Sequence, residues 1–260
     1  MIDLRARPPA ASVIAECLAR QAEAGRLPSL GRFLGASPLT EESRPWYVGA
    51  LGELEVARRL EKLDATWTVL HSVPIGAGTS DIDHVVIGPG GVFTINTKFH
   101  EGKDVWVGSK RILVGGQRTD HLRNARFEAN RAARCLSTAS GMPVSVTPII
   151  GFVGTGRITV RDRSVDVVIL RERELVWWLR RRRPALKAEA VAQLVDTATD
   201  AATWHRAPTL AAVDLVAFGA LQREVRGAKR RRVAWAFGGL AAVAAAVSIA
   251  WAPVMTAVGL

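Results

Sequence analysis

The chain has 260 residues, with 35 Lys and Arg against 24 Asp and Glu, for a formal net charge of +11. That length holds one sizeable core, not two. Its two cysteines, Cys17 and Cys135, and five scattered histidines exclude a disulfide framework and any spaced zinc motif, and they suit a reduced cytoplasmic environment.

Residues 1–44 form an N-terminal segment and connector. Prolines and charges in residues 1–11 do not resemble a signal peptide. Val13–Ala24 has the pattern of a short amphipathic helix, and residues 25–44, rich in Gly, Pro and Ser, read as linker. From about Pro45 to Leu63 the spacing predicts a helix with Val56, Leu60 and Leu63 on its apolar stripe. Counting back from Val56 places Glu53 on that stripe, away from Arg58, Arg59 and Lys62. Gly49 and Gly52 would let this helix approach other backbone closely.

The most informative stretch is Asp81–Lys98. Two β-branched runs flank Gly88-Pro89-Gly90-Gly91 and read as a β-hairpin whose partner numbers sum to 179. On that register Asp83 faces Asn96, Asp81 faces Lys98, and all four side chains share one side of the sheet. His84 points to the other side and reads as a packed core histidine. Polar groups gathered among valines and isoleucines are costly to bury unless they pair or bind something. The cluster therefore reads either as a composite site with Glu53 or as a buried Glu53–Lys98 ion pair.

Gly52-Glu53, the run Asp81-Ile-Asp83-His84-Val-Val-Ile-Gly-Pro-Gly-Gly-Val-Phe and the strand ending in Lys98 resemble the NERD (nuclease-related) domain, a branch of the PD-(D/E)XK nuclease-like superfamily. The resemblance covers roughly residues 46–155. It implies a restriction-endonuclease-like α/β core with a mixed sheet, in the order α-β-β-β-α-β, in which a helical Glu, a strand Asp and an acid-x-Lys pair bind divalent metal. Glu53, Asp83 and Lys98 match that pattern. Asn96 stands where the second strand acid is expected. The implied cofactor is Mg²⁺ or Mn²⁺, with Glu53, Asp83 and Asn96 as ligands and Lys98 beside the attacking water. Asn96 keeps an oxygen ligand but removes a negative charge, and Asp81 on the same side could compensate.

Further along, Val105–Val114 reads as a second hairpin turning near Gly108-Ser109. Asp120 caps a helix to about Ser140, with Leu122, Ala125, Ala129, Ala132 and Leu136 buried and Gly141 as its stop. Asn124, Glu128 and Arg131 line up on another side, as a solvated face with a local salt bridge. Turned inward, Glu128 would instead replace the missing carboxylate. Ile149–Val153 is a short buried strand, Ile158–Leu170 adds two more, and residues 172–205 read as helical with a break at Pro184. The Arg180–Arg183 run suits either a helix C-terminus or nucleic-acid phosphates.

The charge is local. Arg226–Arg232 contributes +5 and Arg171–Arg183 contributes +4, which leaves +2 for the rest and gives the core no strong electrostatic case for tight nucleic-acid binding. Val233–Ala252 carries no charge over 20 residues, with Trp235 and Trp251 near its ends and a basic collar before it. It reads as a single-pass C-terminal transmembrane helix, with the bulk of the chain cytoplasmic. The resulting partition is a connector (1–44), a nuclease-related domain (45–155), a strand and helical extension (156–225), a collar (226–232) and a span (233–252). The expected function is membrane-tethered, metal-dependent hydrolysis of nucleic acid. Its rivals are a catalytically silent nucleic-acid-binding or scaffold module and an enzyme acting on another phosphoester.

Overall fold

The computed structural model describes residues 2–258 apart from 24, 26, 27, 76–79, 163–165 and 206–211, with side chains described through residue 238. The chain divides into two compact units, one of residues 1–16 and 45–213 and one of residues 17–44 and 214–260.

In chain order the elements are α1 (Ala11–Ala22), α2 (Ser29–Leu34), α3 (Ser43–Leu60), β1 (Thr68–Pro74), β2 (Asp81–Gly88), β3 (Gly91–Phe99), β4 (Val105–Val107), β5 (Ile112–Val114), β6 (Gln117–Thr119), α4 (His121–Ser140), β7 (Val146–Val153), β8 (Ile158–Val160), β9 (Val168–Arg171), α5 (Leu175–Arg180), α6 (Ala188–Thr199) and α7 (Leu215–Val258). The larger unit is mixed α/β. A five-stranded sheet runs β1-β2-β3-β7-β9 and a four-stranded sheet runs β6-β5-β4-β8. Each combines antiparallel hairpins with parallel crossovers.

The β2–β3 hairpin closes through Gly88 opposite Gly91 and follows the expected register as far as His84 opposite Ile95. Glycine is needed at its tip because Trp67 lies on it: a Cβ at Gly88 would stand 2.3 Å from the Trp67 ring. One face of the large sheet buries Leu70, Val85, Ile87 and Val92 against Ala132 and Leu136 of α4 and Leu194 and Ala198 of α6. The other buries Val86, Phe93, Ile95 and Ile149 against Val56 and Leu60 of α3 and Leu175 and Leu179 of α5. Each fully buried aliphatic side chain is worth about 1.5–3 kcal/mol, so these two layers dominate stability.

α4 buries the predicted stripe Leu122, Ala125, Ala129, Ala132 and Leu136, and ends at Gly141 in the left-handed conformation at φ 71°. Asp120 precedes it without a side-chain capping bond and pairs with Arg123 at 2.9 Å. Gly52 does allow close packing, since a Cβ there would meet Phe99 Cβ at 3.1 Å. Gly49 does not serve that purpose, for nothing lies within 4 Å of its would-be Cβ. Between β5 and α4 the chain adds a third short strand, β6, which the expected hairpin lacked.

In the smaller unit α2 lies along α7. Arg231 donates to the Arg32 carbonyl at 2.9 Å, Arg232 to the Gly35 carbonyl at 3.0 Å and the Trp235 indole to the Phe33 carbonyl at 3.0 Å. These contacts correct the fold expectation at the C-terminus. Among the described residues no helix is long and apolar enough to cross a membrane, so a single-pass C-terminal anchor over 233–252 is not supported. Cations through Arg232 interrupt the described part of α7, and two collar arginines cap α2. Trp235, read as an interfacial anchor, packs edge-on to Phe33 at 4.9 Å. The side chains of the expected span from residue 239 onward, Trp251 included, lie outside the described residues.

Four of the five histidines, expected to stand singly, are paired. His71 Nδ1 and His84 Nδ1 lie 2.8 Å apart, and His100 Nε2 and His121 Nε2 lie 3.2 Å apart. His84 is buried, and burial holds it well below the usual histidine range and drives His71 down to about 4. A histidine kept neutral by the fold adds stability that is present above its unfolded value near 6.5 and is lost as pH falls through the folded value. Acidification from pH 6.5 to 4 is therefore expected to cost about 3 kcal/mol through His71. Denaturant midpoints measured across that range check it, with His71→Gln expected to flatten the slope.

Candidate active site

The site forms where the hairpin comes apart. β2 and β3 are paired only up to His84 and Ile95. Beyond that point β2 stays with β1, through Ile82 opposite Val73 and Asp81 opposite Pro74, while β3 stays with β7, through Asn96 opposite Ile150 and Lys98 opposite Phe152. The extrapolated pairs Asp83–Asn96 and Asp81–Lys98 are thus not ladder partners. The Asp83 carboxylate occupies the opening instead, where its Oδ2 accepts the Thr97 N–H at 2.6 Å.

Asn96 and Lys98 share the side of the sheet covered by α4, because their positions alternate in step with Val92. Of the helix row read as solvated, Asn124 is exposed but Glu128 turns inward: Asn96 Nδ2 donates to Glu128 Oε1 at 2.5 Å. Glu128 therefore stands beside the position where the acid is missing. Glu53 comes from α3, on the opposite side of the sheet. It is buried, and Gly52 next to it sits over Thr97 and Phe99. The open strand pair lets groups from both sides of the sheet share one field.

That field is short of positive charge. Burial raises Glu53 well above the usual carboxylate range, and Asp83 and Asp81 push the same way while Lys98 opposes. Burial lifts Asp83 to about 6 against the pull of Lys98 and the Thr97 N–H. Burial and the neighbouring Asp83 lift Glu128 to about 8. The ion pairs among the described residues all lie elsewhere, so the alternative of a buried Glu53–Lys98 salt bridge is not seen. Asp81 is also raised by burial but leans on Ser12 and Arg7 of the N-terminal segment, a role the hairpin pattern did not contain.

Four oxygens in and beside the cluster, Asp81 Oδ2, Asn96 Oδ1, Thr97 Oγ1 and Glu128 Oε2, are buried without a hydrogen-bond partner, and Asn96 Oδ1 and Glu128 Oε2 belong to side chains that touch. A buried acceptor left unpaired costs about 1–3 kcal/mol, so such pairs of atoms call for a cation or a donor. Hard oxygens of this kind suit Mg²⁺ or Mn²⁺ rather than zinc. Among the described residues no three or more Asp, Glu, His or Cys converge closely enough to hold a metal by themselves. The donor set fits an ion that needs only one or two carboxylates and an amide oxygen, and takes the rest from water and substrate.

The Arg180–Arg183 run is partly committed to structure. Arg181 lies over Trp177 at 4.9 Å, Arg182 over Trp178 at 4.1 Å, and Arg180 donates to the Lys62 carbonyl.

The larger unit thus carries an acid on α3, an acid on β2 and a lysine on β3, in the element order α3-β1-β2-β3-α4-β7 of a mixed α/β fold. Residues 48–153 match the family model described as the nuclease-related domain, a match consistent with the PD-(D/E)XK-like nuclease superfamily. An uncharacterised protein of Bacillus anthracis is 44% identical over 62 residues, which cover 22% of this chain and 29% of that relative. The likeness thus spans under a third of the relative's own length. No solved structure matches the chain. The match over residues 48–153 suggests a nuclease-related function.

Proposed function

We propose that the domain binds Mg²⁺ or Mn²⁺ and hydrolyses phosphodiester bonds in nucleic acid. The observation that carries this reading is the pair of buried, unpartnered oxygens, Asn96 Oδ1 and Glu128 Oε2, set among carboxyls that the fold holds above their usual range. Asp83 and Glu53, with the Asn96 amide oxygen, would hold the ion, and Glu128 restores the negative charge that Asn96 lacks. The bound ion neutralises phosphate oxygens and lowers the pKa of water at the site. Lys98, whose charge acts on Asp83, orients the attacking water and meets the charge that develops on the phosphate. The Thr97 N–H fixes the Asp83 carboxylate, so little side-chain freedom is lost on binding.

The test is cleavage of an end-labelled oligonucleotide with and without Mn²⁺. Lys98→Met is expected to lower the rate by about 10²–10³, the usual effect of losing one preorganised charge donor. Cleavage that persists in EDTA, or that is unchanged in Lys98→Met, would contradict the reading. A second reading, a binding or scaffold module that kept the fold, is favoured by Asn96 itself and would show as nucleic-acid binding with no cleavage under any cation.

A further inference from the structure

The small sheet presents a face that the hydrolytic site leaves unused. Its inner residues Val105, Val107, Ile112 and Val114 are buried against α4 and β7. Strand alternation sends the other set outward, and the register aligns Arg118, Leu113, Trp106 and Thr159 in one row across β6-β5-β4-β8. Trp106 is 38% exposed at the centre of that row. Two adjoining depressions of about 460 and 350 Å³ open on it, both lined by Trp106, Leu113 and Gly116.

The rim is cationic. Lys110, Arg111 and Arg118 line the larger depression and Arg157 the smaller. None of the four is in an ion pair among the described residues. Asp104, the one acid lining either depression, is occupied by the Arg157 backbone N–H at 2.7 Å. Trp106 is also held in place. A Cβ at Gly108 would stand 2.6 Å from its ring, so the indole lies on the turn where only glycine leaves room.

We infer that this face binds single-stranded nucleic acid, with a base stacked on Trp106 and phosphates met by Lys110, Arg111, Arg118 and Arg157. A rigid, half-exposed indole ringed by unpaired cations is the pairing of stacking platform and phosphate contact that single strands need. A duplex keeps its bases stacked inside and cannot use the indole. The inference rests on the phosphodiester reading above, for which it supplies the substrate class. Only five residues, 100–104, separate β4 from β3, so the face lies within about 20 Å of chain from the strand that carries Lys98.

The experiment uses the full chain in EDTA, a fluorescein-labelled single strand of about 12 nucleotides, and anisotropy as the readout. Trp106→Ala is expected to weaken binding about tenfold or more, and Trp106→Phe to retain most of it. Gly108→Ala, which displaces the ring without removing it, is expected to behave like Trp106→Ala. The wild-type affinity should fall with salt at a log–log slope near −3, and Arg118→Gln should flatten that slope by about 0.7. Circular dichroism checks that each variant is folded. Unchanged affinity in both Trp106→Ala and Arg118→Gln overturns the inference. So does equal binding of a blunt duplex, or equal displacement by polyglutamate, which would mark the face as one for acidic protein. If these variants lose binding while no cation supports cleavage, the inference stands and the hydrolytic reading falls. If they cleave and bind like wild type, the reverse holds.

Discussion

Exchanging the amide and the acid across the β3–α4 contact, in Asn96→Asp/Glu128→Gln, is expected to keep divalent-cation affinity within about threefold, whereas Glu128→Gln alone weakens it about ten- to hundredfold. The two side chains meet through Asn96 Nδ2 and Glu128 Oε1 at 2.5 Å. The double variant keeps one donor and one acceptor there and returns the carboxylate to the strand. Asn96→Asp alone puts two carboxyls in contact. Its cation-free form should be less stable at pH 8, and its cation affinity higher than that of the wild type.

The sign of the pH dependence follows from the same groups. An acid whose folded pKa is raised contributes stability below its unfolded value near 4.5 and loses it as pH rises through the folded value. Asp83 at about 6 and Glu128 at about 8 therefore destabilise the cation-free protein progressively above pH 5. The His71–His84 pair has the opposite sign, so it offsets part of this loss as pH rises from 4 to 6.5. Mn²⁺ should raise the melting temperature more at pH 8 than at pH 5.5, by roughly 3–8 °C. A larger shift at the lower pH would contradict the assignment of these acids to the ion.

The second large effect is at Asp83. Asp83→Ala is expected to abolish cation-dependent cleavage, by a factor of about 10³ or more, and to cost about 1–3 kcal/mol of stability. The stability loss arises because the Thr97 N–H then lacks the acceptor that now stands 2.6 Å away. Asp83→Asn leaves an oxygen for that N–H while removing the charge. It should lose cleavage to the same extent and keep nearly all of the stability. Thermal melts beside single-turnover rates separate the two roles. Substantial cleavage by Asp83→Asn would show that the residue serves the fold alone.

The hairpin was legible because the glycine turn and the alternation of Val85, Ile87 and Val92 admit one register, and a shift by one residue would expose the whole set. The α4 stripe was legible for the same kind of reason, since five apolar positions at helical spacing leave only one face to bury. The parting of β2 from β3 was not. It depends on β1 and β7 competing for the two strands, a tertiary choice that carries no local signal. Glu128 was legible only as the second of two readings, because its row with Asn124 and Arg131 satisfies a surface pattern. The clue was its place beside Ala125 and Ala129, at the edge of the buried stripe. The histidine pairs join residues 13 and 21 apart, beyond the reach of spacing rules. The uncharged C-terminal stretch was read from composition alone. In the structure the cations and the tryptophan at its start are spent on α2.

The most direct measurement is calorimetric titration of Mn²⁺ into the full chain at pH 8, in two buffers of different ionisation enthalpy. Saturable binding is expected, with protons released to the buffer because Glu128, held near 8, gives its proton up to the ion. Binding should be lost in Asp83→Asn, weakened in Glu128→Gln and recovered in Asn96→Asp/Glu128→Gln. Absence of binding at millimolar Mn²⁺, or binding indifferent to all three substitutions, would contradict the claim that these residues form a cation site.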